Sequence, residues 1–373
     1  MTGAAFQRLH HPFALELQAM ALKLDNVYKR VGSEIHIHET SLTFLPGGFN
    51  VLLGATNAGK TTLMKLMAGL EKPNRGRIVF EGTDITRQST QQRNISFVHQ
   101  FFINYPHLSV YENIASPLKI IGMSDADIKK RVHDTADILQ LGPMLDRKPH
   151  ELSGGQQQRT ALARALVKDS KIVFLDEPLA NLDYKLREEL RSQLPLLMAD
   201  RGSIVIYATS EPTEALMLGG HTCTLFEGRV TQYGETAKIY REPYDLVTAE
   251  VFSDPPLNSA GVTKSNGKIH LSDTVVWPAE GKAAELADGN YTLGIRPHFV
   301  RPARTSEKEV ALDGLVQITD ISGSESVAHF LLNDDAWVSQ ADGVHSFQLG
   351  KRYSFYMDTS QCYYFGPDGL LAA

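Results

Sequence analysis

An α/β protein of the phosphate-binding-loop type followed by a small all-β domain is the fold class this sequence predicts. Three observations predict it. Short β-branched runs alternate with helical patterns from residue 21 to about 235, one of those strands opens into a glycine-rich loop, and from about 245 the helical patterns give way to short strands.

The strands come first. "FNVLLG" (49–54), "RIVFEG" (77–82), "NISFVHQ" (94–100), "KIVFLD" (171–176) and "SIVIYA" (203–208) are compact apolar runs. Several are apolar at every position, the mark of a largely parallel sheet covered on both faces. Residues 110–142 carry helical spacing instead, with Ser124 predicted as an N-cap before an acidic first turn and Gly142 as a stop. This segment, about 101–155, reads as a helical insert within the α/β domain. Beyond residue 245, "KIHLSDTVVW", "YTLGIRPHFV", "GLVQITDIS" and "SVAHFLL" are short strands broken by Gly, Asp, Asn and Pro. The expected division is therefore a leader at 1–20, an α/β domain at 21–240 and a small β-barrel or sandwich at 241–373. The leader has no h-region or cleavage site and is read as a loose segment, with His10 and His11 solvated.

Composition limits the function classes. A chain of 373 residues with 42% hydrophobic and 21% charged residues suits a soluble protein of two domains. Its net charge of -6 leaves no basic surplus for nucleic acid as the main partner. No apolar run reaches the roughly 18 residues of a spanning helix. Two widely spaced cysteines, Cys223 and Cys362, exclude a Cys-rich zinc motif and suit a reducing compartment.

The chemistry begins at "GATNAGKTT" (54–62), which has the spacing G-x-x-x-x-G-K-T. Gly54 and Gly59 let the backbone curl around phosphate oxygens, and Ala55, Thr56, Asn57, Ala58 and Thr62 complete the cradle. The following helix turns its positive end to the same anion. Lys60 is expected on the β- and γ-phosphates, and the Thr61 hydroxyl on Mg²⁺. "KIVFLDEP" places Asp176 as a second magnesium-holding group and Glu177 as the base that activates the attacking water. Gln100, ending its strand, is a candidate for touching both metal and water, or else a solvated loop residue. "LSGGQQQRTALARAL" then opens a helix with two glycines. Ser153, Gly154, Gly155 and Gln156 form a second anion-binding helix start, which makes sense if it closes on nucleotide held by another chain.

With these motifs the sequence resembles the ATP-binding subunits of ABC transporters, over nearly all residues from 21 on. The loop 54–61, Gln100, the signature Leu152 to Gln156, "FLDEP" and "NLD" (181–183) stand in that family's order. The resemblance implies ATP and Mg²⁺ as cofactors, Asp183 as the D-loop aspartate, and assembly with a second ABC ATPase subunit. It also implies two membrane permease subunits, a periplasmic or extracellular substrate-binding protein, and a place at the cytoplasmic face of the membrane. The tail, from "YREPYDLVTAEVFSDPPLN" through "LGIRPHFV", resembles the junction and OB-like regulatory domain of carbohydrate-uptake ATPases, a layout that sulfate and polyamine importers share, which implies an ATPase domain at 21–240 and an OB-like domain at 241–373. "NYPHLSVYENIASPL" and "ATSEPTEAL" most resemble one of the paired ATPases of a glycerol importer.

Two positions depart from the family pattern. Ser210 takes the place of a histidine that contacts the γ-phosphate, and Val31 that of an aromatic residue that stacks on adenine, with Tyr28 three positions out of register. Losing one preorganised donor costs about 2.7–4 kcal/mol of barrier, and losing a base stack about 1–3 kcal/mol. Fast hydrolysis is the more exposed of the two properties. The expectation is a heterodimer in which this chain holds the weaker site and completes its paralogue's. A homodimeric importer ATPase and a non-hydrolysing ATP-binding partner stand as alternatives. A repair or translation ATPase would carry coiled coils or tandem cassettes, and neither is visible. "FFINYPHLSVYENI" is the expected permease-docking surface, with simple packing of insert on core as its alternative, and "DISGSES" (320–326) is either a contact loop or a plain turn.

Overall fold

The computed structural model describes residues 20–101, 103–180, 182–199 and 202–373, and the chain divides into two compact units between Ala237 and Lys238. Residues 1–19 of the expected leader, Phe102 of the expected docking segment and Asn181 of the "NLD" motif lie outside the described residues.

Every residue of the strands Phe49–Leu53, Ile172–Asp176 and Ile204–Thr209 is buried. Burial on both faces requires cover on both, which crossover helices supply to parallel strands. These three form the middle of a six-stranded sheet, ordered Arg229–Glu235, His221–Phe226, Phe49–Leu53, Ile204–Thr209, Ile172–Asp176, Ile95–Val98. Its neighbours run parallel except for the antiparallel hairpin at one edge. The register sets Leu53 beside Thr209 and Asp176 beside Ala208, so three strands end together at one edge of the sheet.

The strand Arg75–Phe80 lies elsewhere. It pairs antiparallel with Leu22–Val31 in a four-stranded sheet that also holds Glu34–Phe44 and Thr83–Asp84. Its residues are mostly exposed or half-buried, with Ile78 the one fully covered, as befits a strand packed on a single face. A six-residue run is too short to reveal the direction of its partner. One apolar cluster, including Leu22, Phe44, Leu52, Met64, Ile78, Phe174, Ile206 and Leu225, joins both sheets to the helix Lys60–Ala68.

The insert holds helices Val110–Ile120 and Asp125–Ile138, followed by Gly154–Leu166. Ser109 Oγ accepts from the Glu112 amide while the Glu112 carboxylate accepts from the Ser109 amide, which satisfies two otherwise orphaned donors. Ser124 caps the next helix, its hydroxyl accepting from Asp127 N at 3.3 Å. That helix stops at Ile138, before Gly142, which opens a short 3-10 turn. The cause is at Gln140, whose φ of 52° reverses the chain so that Leu139 and Leu141 are both fully buried.

The second unit contains two five-stranded antiparallel sheets. One has the order Val276–Pro278, Lys268–His270, Asn258–Ser265, Gly289–Ile295, Tyr363–Phe365. The other has the order Val300–Arg301, Arg352–Met357, Val310–Ile321, Glu325–Leu332, Asp335–Asp342. Their inner faces share a core in which the Phe330 and Phe355 rings stack at 4.1 Å and Trp337 is buried. The fold is thus an α/β core with helical insertions, followed by a near-barrel all-β domain. Among the described residues no helix is long and apolar enough to cross a membrane.

Candidate functional site

The strand Phe49–Leu53 runs into residues 54–59, and the helix Lys60–Ala68 follows at once. Asn57 and Gly59 have φ of 68° and 103°, the reversals by which such a loop curls on itself. Gly54 leaves no room for a side chain, since a Cβ there would lie 2.4 Å from the Leu225 carbonyl oxygen. A Cβ on Gly228, at φ 74°, would lie 2.5 Å from the His36 carbonyl oxygen. Its amide donates to Ala58 O at 3.0 Å and its carbonyl accepts from His38 N at 2.9 Å. The edge hairpin thereby braces the loop against the Glu34–Phe44 strand.

A cleft of about 570 Å³ opens there, lined by residues 56–62, Gln100 and Glu177, and also by Glu34, Ile35, His36, Glu227 and Gly228. Sequence reasoning missed this second group. Its members come from a hairpin and a strand far from the loop in the chain, and no motif marks them.

Within the cleft Lys60 is nearly buried, at 5% exposure. Its ammonium donates to Gly54 O at 2.7 Å and Ala55 O at 3.1 Å, and pairs with Glu177 Oε1 at 3.5 Å. Burial pulls its pKa down, against the opposing pull of Glu177. Thr61 Oγ1 donates to both oxygens of Asp176, at 2.9 and 3.1 Å. Asp176 is buried, and burial pushes its pKa up while the Thr61 bond works the other way. Gln100 Nε2 donates to Glu177 Oε2 at 2.9 Å. Lys60, Glu177 and Gln100 thus form one polar cluster, and the Thr61–Asp176 pair stands beside it, Thr61 following Lys60 and Asp176 preceding Glu177 in the chain.

Glu177 has φ of 47°, and its amide donates to Ala208 O at 3.0 Å. A non-glycine residue in this region costs about 1–3 kcal/mol, and such strain collects at working sites. The Thr61 hydroxyl and the Asp176 carboxylate are hard oxygen donors of the kind magnesium takes. Among the described residues no group of three or more His, Cys, Asp and Glu side chains stands ready for a metal. A metal here would depend on phosphate oxygens and water for its remaining ligands, as magnesium commonly does.

Gly54, Ala55 and Asp176 stand behind the cleft lining and not in it, and the other singled-out residues also lie outside it. Leu152 is buried, Ser153 and Gly154 are exposed, and Gly155 is half-buried. Ser153 Oγ accepts from Gln156 N, and Gln156 Oε1 accepts from Ser153 N, closing a capping box at the start of Gly154–Leu166. One turn on, the buried Gln158 amide donates to Pro178 O and ties this helix to the Glu177 turn. Asp183 is exposed and its carboxylate accepts from Leu186 N at 3.0 Å, capping the helix Tyr184–Ala199. Ser210 is exposed, one residue past the buried end of its strand. Val31 is 49% exposed and pairs across its hairpin with Glu34; Ile35, 43% exposed, supplies an apolar side chain to the cleft wall.

A strand, a curled loop with a buried lysine, a hydroxyl–aspartate pair and a strained glutamate define a nucleotide-hydrolysing site. The ABC transporter family matches residues 37–180. The chain is 34% identical over 358 residues to the sn-glycerol-3-phosphate import ATP-binding protein UgpC of Cupriavidus necator, covering 93% of this chain and 97% of that protein. It is 36% identical over 321 residues to the xylose/arabinose import ATP-binding protein XacK of Haloferax volcanii, covering 84% of each. It is 33% identical over 355 residues to the maltose/maltodextrin import ATP-binding protein MalK of Yersinia pestis, covering 93% of this chain and 95% of that protein. Among solved structures, the dimeric ATP-binding cassette MJ0796 bound to ADP and Pi superposes with a TM-score of 0.54 at 29% identity, over 58% of this chain and 98% of that one. The chain belongs to the ATP-binding subunits of ABC transporters. It is an ATP-hydrolysing enzyme of a family that binds ATP with Mg²⁺.

Proposed function

We propose that this chain drives the import of a sugar, polyol or sugar phosphate, working at the cytoplasmic face of the membrane with two permease subunits and an external substrate-binding protein. The observation that carries the reading is the Lys60–Glu177–Gln100 cluster beside the Thr61–Asp176 pair, within a chain similar over nearly its whole length to import ATPases. Relatives named for glycerol 3-phosphate, pentoses and maltodextrins support the substrate class. Glycerol is the narrower reading within it.

ATP would lie with its phosphates along residues 54–62. Lys60 would bind the β- and γ-oxygens, and Thr61 and Asp176, with Gln100, would hold magnesium. Bound magnesium neutralises charge on the phosphates as it develops. Glu177 takes a proton from the attacking water as that oxygen bonds to the γ-phosphorus and the bond to ADP breaks. The Ser153–Gln156 helix start lies off the chain's own cleft lining, which supports its service to a second chain. Exposed Phe101, Ile103 and Tyr105 support a permease-docking role for this segment.

Two copies of this chain form the simplest assembly, and the dimeric state of the similar cassette supports it. Pairing with a paralogue is the second reading, favoured by Ser210, whose short hydroxyl stands where the family pattern has an imidazole. The test is ATP turnover by the reconstituted importer, with the binding protein loaded with one solute at a time. Stimulation by a sugar, polyol or sugar phosphate is expected. Stimulation by sulfate or a polyamine alone would overturn the substrate class. Full turnover without any second ATPase, indifferent to Ser210→His, would remove the paralogue.

A further inference from the structure

Arg187 stands one turn into the helix Tyr184–Ala199 and reaches in two directions. Its Nη1 pairs with Glu211 Oε1 at 3.0 Å, and its Nη2 donates to Ala180 O at 3.1 Å. Each partner is anchored to a working segment. Ala180 N donates to Glu177 O, closing the turn that carries the catalytic carboxylate, and Arg187 N donates to Asp183 O. Glu211 follows Ser210, its amide donates to Thr209 Oγ1 at 3.0 Å, and its carbonyl accepts from Glu214 N. One guanidinium therefore bridges the turn after one strand to the corner after the next. The matter is sharper with serine at 210 than with a long side chain. A hydroxyl two bonds from Cα cannot make up a backbone shift by changing rotamer, so the backbone itself must be held.

We propose that Arg187 is a positioning residue that holds the Ser210 corner in register with the Glu177–Ala180 turn, so that hydrolysis depends on its pairing with Glu211. The inference rests on the reading of Ser210 and Glu177 given above. The ion pair is partly exposed, at 24% for Arg187 and 43% for Glu211, and such pairs add little to stability. Its effect belongs to placement and is read in kcat.

The experiment measures steady-state ATP turnover and thermal unfolding of the full-length chain in its hydrolysing assembly. Arg187→Ala and Glu211→Gln are each expected to lower kcat about tenfold with KM for ATP within about twofold, and the double variant to fall no further than either single. Arg187→Lys keeps the charge but cannot fork to both partners, and is expected to recover kcat in part. Unchanged kcat, a rise in KM with kcat intact, or additive losses in the double variant would overturn the proposal. If Arg187→Ala fails to fold, Glu211→Gln on the exposed side of the pair carries the same test. Ser210→Ala without effect on kcat would instead overturn the reading of the corner, whatever Arg187 does.

Discussion

Glu177 bears two constraints at one position, a left-handed backbone and a carboxylate with both oxygens engaged by Lys60 and Gln100. Removing the carboxylate while keeping its shape separates chemistry from architecture. Glu177→Gln is expected to slow phosphate release by about 10²–10⁴ while ATP binding, followed by equilibrium titration, persists. Asp176 makes the complementary case. Its folded-state pKa is raised by burial, so the ionised carboxylate weighs against folding. That cost is fully present above the folded pKa and is relieved as pH falls through it towards the unfolded value of about 4. In denaturant titrations without nucleotide, Asp176→Asn is expected to gain stability at neutral pH. The gain should shrink on acidification, and magnesium-dependent turnover should disappear.

At the scale of elements, the helix Gly154–Leu166 begins with an exposed glycine, and a Cβ on Gly154 would meet no atom of this chain within 4 Å. Gly154→Ala is therefore expected to leave the melting temperature unchanged or raised, because alanine favours helix by up to about 1 kcal/mol over glycine. ATP turnover of the assembled pair is expected to fall at least about tenfold if this helix start lies against a partner's phosphates. A parallel fall in stability would make the helix start a structural device alone. Local spacing made the capped start at Ser124 and the glycine-opened start after Ser153 legible in the sequence, since a helix start needs only its own next turn. Where a neighbour decides the outcome, the sequence was mute. The helix from Asp125 ends at Ile138 because two leucines beyond it find burial, and "RIVFEG" joins an antiparallel sheet because Leu22–Val31 runs beside it.

Across the whole molecule, the cleft lining and the two-sheet core around Phe174 belong to the first unit, and a separate core around Phe330 belongs to the second. Phe330→Ala removes one ring of a stacked pair and is expected to destabilise the second unit by about 3–5 kcal/mol in chemical unfolding. ATP affinity should stay unchanged, because no residue of that core lines the cleft. The same separation explains what could be read from the chain. Asp176 and Glu177 were legible because they stand at a strand exit announced by its own apolar run, and Lys60 and Thr61 because the glycine spacing of residues 54–61 marks them where a helix opens. Ile35, His36, Glu227 and Gly228 were not, because their part in the cleft is set by the approach of Gly228 to His36 and not by any local pattern. The strands Asn258–Ser265 and Arg352–Met357 escaped for a similar reason, since Lys, Ser and Arg interrupt the alternation that would have announced them.

The bond between Lys60 and Glu177 has one more consequence. A lysine that leaves a glutamate for a triphosphate frees one oxygen of that glutamate in the same movement. Arrival of fuel and arming of the proton acceptor then become a single event.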